Sequence, residues 1–345
     1  MNSLERCMAV IVGHQIPDRV PVIPQDSHVA AKLAGYDHME FAHDPEKIAK
    51  AQIECCERFG FDGIIIGADT VALAEAVGVK VAYSKEECPR PVAGFIHDFR
   101  EVKNLKPINP WQDARLPVWI EATKILVEKV GKEKLIIARA DQGAFSLASM
   151  MRGMENFLMD VAMGEETELI HELLRYCNAC MYEFIKALQA AGAHVVTTGD
   201  SISGPGVVAP PIYYEYSFPY ELDMAQRCKQ LGLPFSIHIC GRTDPILEKW
   251  VETGAEIFEI DHKTDFQLAR KLTKGKVTLL GNLDCSAVMY HGTPQMVEEK
   301  VKEIIAICMP DGEFILSSGC LLGSGTPVEN LQALADSARK YGVYK

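Results

Sequence analysis

Pro234-Phe-Ser-Ile-His238-Ile-Cys240-Gly241-Arg242-Thr243 is a short apolar run bounded by proline and glycine. Such a run reads as a buried strand. Side chains at positions i and i+2 of a strand share one side. His238 and Cys240 therefore aim an imidazole and a thiol at one place, at the strand's C-terminal end. A nitrogen beside a sulfur is a donor pair that Zn²⁺ favours. Two ligands hold a zinc poorly, so a third is expected elsewhere. The best candidate is Cys320, in Phe314-Ile-Leu-Ser-Ser-Gly319-Cys320, which ends another apolar run. The competing reading is structural, because free cysteine is often buried and packs as a small hydrophobe.

The runs on either side weigh between these readings. Before this stretch come apolar segments at 17–24, 63–67, 135–138 and 194–198; after it come 256–260, 277–280 and 314–316. Helical patterns lie between them. A short amphipathic helix spans 1–13. Asp44-Pro45, with Asp as N-cap and Pro in the first turn, opens a helix that stops at Gly60. Further helices are read at 116–130, 145–192 with a break near Gly164, 244–253, 293–308, and after Thr326-Pro327. Residues 79–100 read as a β excursion around Cys88-Pro-Arg-Pro91.

Eight strands alternating with helices imply parallel βαβ units. Closed on one another they make a single (β/α)8 TIM barrel with an N-terminal helical extension. An open doubly wound sheet would show a glycine-rich phosphate fingerprint after its first strand, and 20–24 has none. No linker or low-complexity run is visible, so residues 1–345 read as one domain.

Composition excludes several classes. A formal charge of −12 and the lack of a Lys/Arg cluster argue against nucleic acid. No apolar run approaches the roughly 18 residues of a membrane span, and the N-terminus lacks a signal-peptide pattern. A cytoplasmic protein with no membrane partner is expected. Eleven irregularly spaced cysteines suit a reducing compartment, where thiols stay free.

In a barrel the active site lies at the C-terminal strand ends. Those ends carry Gln25, Asp26 and His28, then Asp69, Asp141 and Gln142, Asp200, His238 and Cys240, Asp261, Asn282 and Asp284, and Cys320. His238, Cys240 and Cys320 thus come within reach of one ion, and three protein ligands leave the open position of a catalytic zinc. Asp69, Asp200 and Asp261 are the candidate catalytic acids, with helix capping as the alternative role of each. Gln25, His28 and Asn282 are the candidate contacts to a cofactor, although Asn282 also suits a turn-shaping role and His28 a place behind a ligand.

From about residue 15 onward the sequence resembles the uroporphyrinogen decarboxylase superfamily. The resemblance rests on Gly63-Ile-Ile-Ile-Gly-Ala-Asp69, Ala255-Glu-Ile-Phe-Glu-Ile-Asp261, Leu280-Gly-Asn-Leu-Asp284 and Thr326-Pro-Val-Glu-Asn-Leu331. His238-x-Cys240-Gly and the later Gly319-Cys320 resemble its zinc-dependent, cobalamin-linked methyltransferase branch. That branch includes methylcobamide:coenzyme M methyltransferases and the methyltransferase components of O-demethylases. The resemblance implies the barrel, makes His238, Cys240 and Cys320 zinc ligands, and brings in a corrinoid, expected on a separate corrinoid-binding protein because no second domain is read. True decarboxylases of the superfamily carry an arginine-rich segment after the first strand. Here that place reads Pro24-Gln-Asp-Ser-His28-Val-Ala-Ala, without arginine, so uroporphyrinogen decarboxylation is the weakest expectation. The turns Gly319-Cys-Leu-Leu-Gly-Ser-Gly325 and Asp200-Ser-Ile-Ser-Gly-Pro205 tilt the reading toward methyl transfer from a small O-methylated compound, such as an aryl methyl ether, to the cobalt of the corrinoid. Transfer from a methylcobamide to coenzyme M is the alternative.

Overall fold

A computed structural model describes residues 1–344. Nine strands occur among them: β1 Gly63–Ile66, β2 Lys80–Ala82, β3 Arg90–Ala93, β4 Leu135–Gln142, β5 Val195–Gly199, β6 Phe235–Ile239, β7 Ile257–Ile260, β8 Thr278–Leu283 and β9 Phe314–Ser318. Seven form one parallel sheet in the order β1-β4-β5-β6-β7-β8-β9, and β2 pairs antiparallel with β3 outside it.

The alternation read in the strands is visible in the packing. Ile65, Leu135, Ile137, Val195, Ile257, Leu280 and Ile315 gather on the inner face of the sheet, together with Cys7, Val10 and Ile11 of the helix Ser3–Ile11. Their neighbours one residue along, including Ile64, Ile136, Val196, Ile237, Phe258 and Leu279, join the larger core between sheet and helices. The N-terminal helix therefore covers the apolar N-terminal end of the interior. It is started by a capping box, in which the Asn2 side chain accepts from the Glu5 amide at 2.8 Å and the Glu5 carboxylate accepts from the Asn2 amide at 3.0 Å.

The expected first strand is corrected. Residues 17–24 form no strand; they make two isolated bridges, Val22 to Leu316 in parallel and Arg19 to Val343 in antiparallel sense. Pro21 and Pro24 remove two of the amides a ladder needs. What pairing survives runs both ways: Ile23 donates to the Leu316 carbonyl at 2.9 Å, and Asp62 donates its amide to the Val22 carbonyl at 2.8 Å. The Asp62 side chain substitutes for the missing ladder. Fully buried, it accepts from the Val22 amide at 2.9 Å, from Arg6 at 2.8 Å, and from Arg19 at 2.7 and 2.8 Å.

Other boundaries hold. Pro45–Phe59, Leu116–Val130 and Pro294–Cys308 are helices, and Gly60 closes the first of these in the left-handed conformation at φ 66°. The segment expected as one helix with a single break is three: Ala144–Arg152, Met154–Met163 and Thr167–Ala190. The additional break is Gly153, at φ 88°, which a side chain would disfavour.

Candidate metal centre and substrate pocket

Each inner-facing row turns polar toward the C-terminal end of its strand. Ile137 is followed two residues later by Arg139, Val195 by Thr197, Ile257 by Glu259, and Ser236 by His238. Register aligns these rows across the sheet: Arg139 with Thr197, Gly199 with His238, His238 with Glu259. Glu259, completely buried, accepts from the hydroxyls of Thr197 and of Ser236, the latter at 2.9 Å, and faces the Arg139 guanidinium at 3.5 Å. Such partners offset the cost of burying a carboxyl group.

Above this layer sit the three expected donors. His238 Nε2 lies 3.2 Å from Cys240 Sγ, and Cys240 Sγ lies 4.0 Å from Cys320 Sγ. All three ligand atoms fall within 4.8 Å of one another. Tetrahedral coordination at ordinary Zn–N and Zn–S lengths would separate N from S by about 3.6 Å and S from S by about 3.8 Å. The donor set therefore fits a zinc ion in both chemistry and spacing. His238 Nδ1 is 3.0 Å from the Glu259 carbonyl oxygen. Donating there leaves the Nε2 lone pair toward the sulfurs, the usual arrangement behind a metal-bound imidazole. Side-chain hydrogen bonding from Cys320 draws the Cys240 thiol down to about 7, against the opposing effect of its burial. Burial would lower the imidazole, but the neighbouring Cys320 outweighs it and holds His238 up at about 9. A metal would take the Nε2 lone pair of His238 and the two cysteines as thiolates.

Local backbone fixes these side chains. Asp261, at the end of β7, accepts from the Gly241 amide at 2.8 Å and from the Lys263 amide at 2.9 Å, so it shapes the turn that follows Cys240. Cys285 holds the other loop: its thiol donates to the Cys320 carbonyl at 3.0 Å and accepts from the Cys320 amide at 3.1 Å. Gly319 packs so closely that a Cβ there would lie 2.6 Å from the His262 amide nitrogen and 3.2 Å from the Leu283 carbonyl oxygen.

The triad opens on a cavity walled by Gln25, Ser27, Gly67, Asp69, Thr70, Arg139, Gln142, Ser201 and Leu321. Its polar lining is partly unsatisfied. Gln25 gives its carbonyl oxygen to Arg139 at 3.1 Å, yet its Nε2 has no partner; Gln142 Oε1 has none either, and both residues are at most 3 % exposed. Buried polar atoms without partners mark places where a ligand or water completes the bonding. A bulge delivers Gln142. Between Arg139 and Gln142 β4 holds one residue more than β5, with Asp141 at φ 65°. Asp141 is turned outward and accepts from the Leu73 amide at 2.6 Å, its carboxyl pushed up by burial to about 7.

The other expected site residues lie as follows. Asp69 lines the cavity, but its oxygens are taken by Arg115 and by the Val71 amide at 2.9 Å. Asp200 is buried behind the wall, accepting from the Ser146 amide at 2.8 Å and the Ser217 hydroxyl at 3.0 Å, so it caps the helix that begins at Ala144. Asp261 and Asn282 are buried at strand ends outside the cavity lining, and His28 faces Cys88 and the Ala68 carbonyl instead. Of the candidate cofactor contacts, the fold brings only Gln25 to the cavity. Arg139, Glu259 and Cys285 were not singled out from sequence. A charged residue inside each of two apolar runs, at the inner-facing position, was the available signal for the first two.

Fold and site together define a parallel α/β enzyme scaffold with an N/S/S cluster of candidate metal ligands at its strand ends. The uroporphyrinogen decarboxylase (URO-D) family model matches residues 2–341, and the chain belongs to that family. It is 29% identical over 329 residues to the methylcobamide:CoM methyltransferase MtbA of Methanosarcina acetivorans, covering 94% of each chain. It is 28% identical over 307 residues to the uroporphyrinogen decarboxylase of Carboxydothermus hydrogenoformans, covering 87% of this chain and 85% of that one. Among solved structures, a methyltransferase from Methanosarcina mazei superposes with a TM-score of 0.89 at 22% identity, covering 99% of both chains. No helix among the described residues is long and apolar enough to cross a membrane.

Proposed function

We propose that the chain is a corrinoid-dependent methyltransferase whose metal centre is His238, Cys240 and Cys320, and that it moves a methyl group between a methylcobamide and a small thiol bearing an anionic group. The observation that carries the reading is the N/S/S triad opening on a cavity whose wall holds Arg139. A zinc ion held by these three residues would supply Lewis acidity that lowers the pKa of a substrate thiol. The chain's own residues then orient and hold. Arg139 contacts Gln25 and Glu259 through Nη2 alone, which leaves Nε and Nη1 for a sulfonate or carboxylate. Gln25 Nε2 offers a second donor. Glu259, through its backbone carbonyl, keeps the His238 tautomer, and Asp261 and Cys285 hold the two cysteine loops.

Relatives named methylcobamide:CoM methyltransferases support a thiol as the small substrate. That places the thiol reading ahead of the aryl methyl ether expected from the turn sequences, since an uncharged ether gives Arg139 no anion to pair with. A substrate with many carboxylates fits less well. Arg139 is the cation on the cavity wall and already faces Glu259, while Arg115 behind it is committed to Asp69 and Glu75. The corrinoid itself is taken to arrive on a partner protein, at the open C-terminal end of an eight-membered barrel whose first staff is the bridged segment 20–24.

The test mixes the metal-loaded chain with methylcobalamin or a methylated corrinoid protein and follows loss of the methyl–cobalt absorbance on adding thiols. Demethylation with 2-mercaptoethanesulfonate, lost together with one equivalent of bound zinc in Cys240→Ala and Cys320→Ala, is expected. Turnover only with aryl ethers and a Co(I) corrinoid would transfer the reading to O-demethylation; zinc and activity both retained in either variant would refute the metal centre.

A further inference from the structure

His28, His38 and Cys88 form a second cluster of metal-ligating side chains, which shares no residue with the first. They come from three elements: the helix Ser27–Leu33, the first residue of the helix His38–His43, and the turn between β2 and β3. One ligand atom of each lies within 4.8 Å of the others. Cys88 Sγ is 3.3 Å from His28 Nε2, and the two imidazoles meet edge to face with centroids 5.1 Å apart.

A hydrogen bond between Cys88 and His28 would account for two of the three. It does not account for His38, whose ring makes no hydrogen bond to protein among the described residues yet points into the same few ångströms. His28 Nε2 and Cys88 Sγ also converge on one acceptor, the Ala68 carbonyl oxygen, at 3.1 and 3.7 Å. The surroundings supply a reason for a cross-link. Strands β2 and β3 are three and four residues long, and no residue of either is fully buried. A two-stranded hairpin with so little apolar burial is marginal by itself. Toward the neighbouring helix it has one backbone hydrogen bond, His38 amide to Lys85 carbonyl at 3.2 Å, an exposed Lys85–Asp37 pair at 3.7 Å, and a ring contact of Tyr83 with His43 at 4.7 Å.

The geometry points to a second, structural metal site at His28, His38 and Cys88, taking a borderline-soft divalent ion of the Zn²⁺ class. Two imidazoles and one thiolate are a donor set that zinc accepts. Binding exchanges the Cys88 thiol proton for the metal and releases it to solvent, while His28, whose Nε2 donates to the Ala68 carbonyl, shifts its proton to Nδ1 so that Nε2 can ligate. The ion ties the β2–β3 turn to both helices. Ser27 and Asp69, each next in sequence to a member of this cluster or to Ala68, line the substrate cavity, so the tie braces one wall of that cavity.

Zinc stoichiometry and Co²⁺ absorbance on the full chain test this. Wild type should bind about two equivalents, Cys88→Ser about one, and Cys240→Ala/Cys320→Ala about one, with none when all three are replaced. The Co²⁺–thiolate charge-transfer band of the Cys240→Ala/Cys320→Ala chain should vanish on adding Cys88→Ser. Zinc should also slow tryptic cleavage at Lys85 in wild type but not in Cys88→Ser, a reading that does not require the double variant to fold. Unchanged stoichiometry and unchanged cleavage in Cys88→Ser would overturn the site. One equivalent in wild type, lost only with Cys88→Ser, would instead keep this site and remove the first.

Discussion

Arg139 stands where an apolar strand would carry another aliphatic side chain, and its neighbours decide what it can do. Glu259 faces its guanidinium, Gln25 takes one of its N–H groups, and the residue lines the cavity. Arg139→Lys keeps the charge beside Glu259 but loses the planar fork. It is expected to raise KM for a sulfonate-bearing thiol roughly tenfold, about 1.4 kcal/mol, while a neutral thiol such as 2-mercaptoethanol changes little. Equal losses for both thiols would exclude Arg139 from recognising the anion. Glu221 is a buried carboxyl of a different kind. It receives the Tyr213 hydroxyl at 2.6 Å and the Ser217 hydroxyl at 3.3 Å, has no cation, and is pushed up to about 8 by burial and by the nearby Asp200.

At the scale of elements, two devices hold irregular backbone where a ladder cannot. The first is the turn Gly319-Cys320. Because a Cβ at 319 would meet backbone on both sides, those neighbours cannot swing away and the turn itself must shift. Gly319→Ala should therefore weaken zinc binding by more than tenfold in competition with a chromophoric chelator, with a stability loss of about 1–3 kcal/mol, although no ligand is altered. Wild-type zinc affinity in this variant would show that the turn does not position Cys320. The second device is Asp62. Removing it leaves Arg6 buried and Arg19 largely so, without their shared carboxylate, and leaves the Val22 amide without its acceptor. Asp62→Ala is expected to cost about 3–5 kcal/mol in urea unfolding. A loss below about 1 kcal/mol would mean that the proline-bounded segment is held by its apolar contacts instead.

Over the whole molecule, several carboxyls are buried without an ion-pair partner. Burial raises Asp26 to about 6, Asp141 to about 7 and Glu221 to about 8. Between its unfolded value and these values each group keeps a proton in the folded chain that the unfolded chain has released. Stability from these groups is therefore fully present only below their unfolded values, at about pH 4, and is lost progressively until pH has risen through the folded ones. The urea midpoint should drop between about pH 4 and pH 8, and Glu221→Gln should flatten the upper part of that fall, where each pH unit is worth up to about 1.4 kcal/mol per group. A midpoint independent of pH over that range, in wild type, would contradict the raised values.

Much of this molecule was legible one segment at a time. Pro45 behind an Asp cap, Gly60 at a helix end, and the inward alternation of Ile137, Val195 and Ile257 are local signals, because capping, left-handed backbone and strand period depend only on near neighbours. His238-x-Cys240 was legible for the same reason: two residues on one strand must share a face. The sequence by itself thus determined the strand–helix alternation and the types of donor available to a metal. Tertiary structure alone decided the rest. It set the 4.0 Å between Cys240 and Cys320, eighty residues apart, replaced a proline-broken strand by a carboxylate, and chose Gln142 over Asp141 through one bulged residue. It also drew Asp69 and Asp200 into internal bonding. The physical reason is that strand register and loop closure are collective: whether a carboxylate faces a cavity or an arginine depends on partners that no stretch of its own sequence contains.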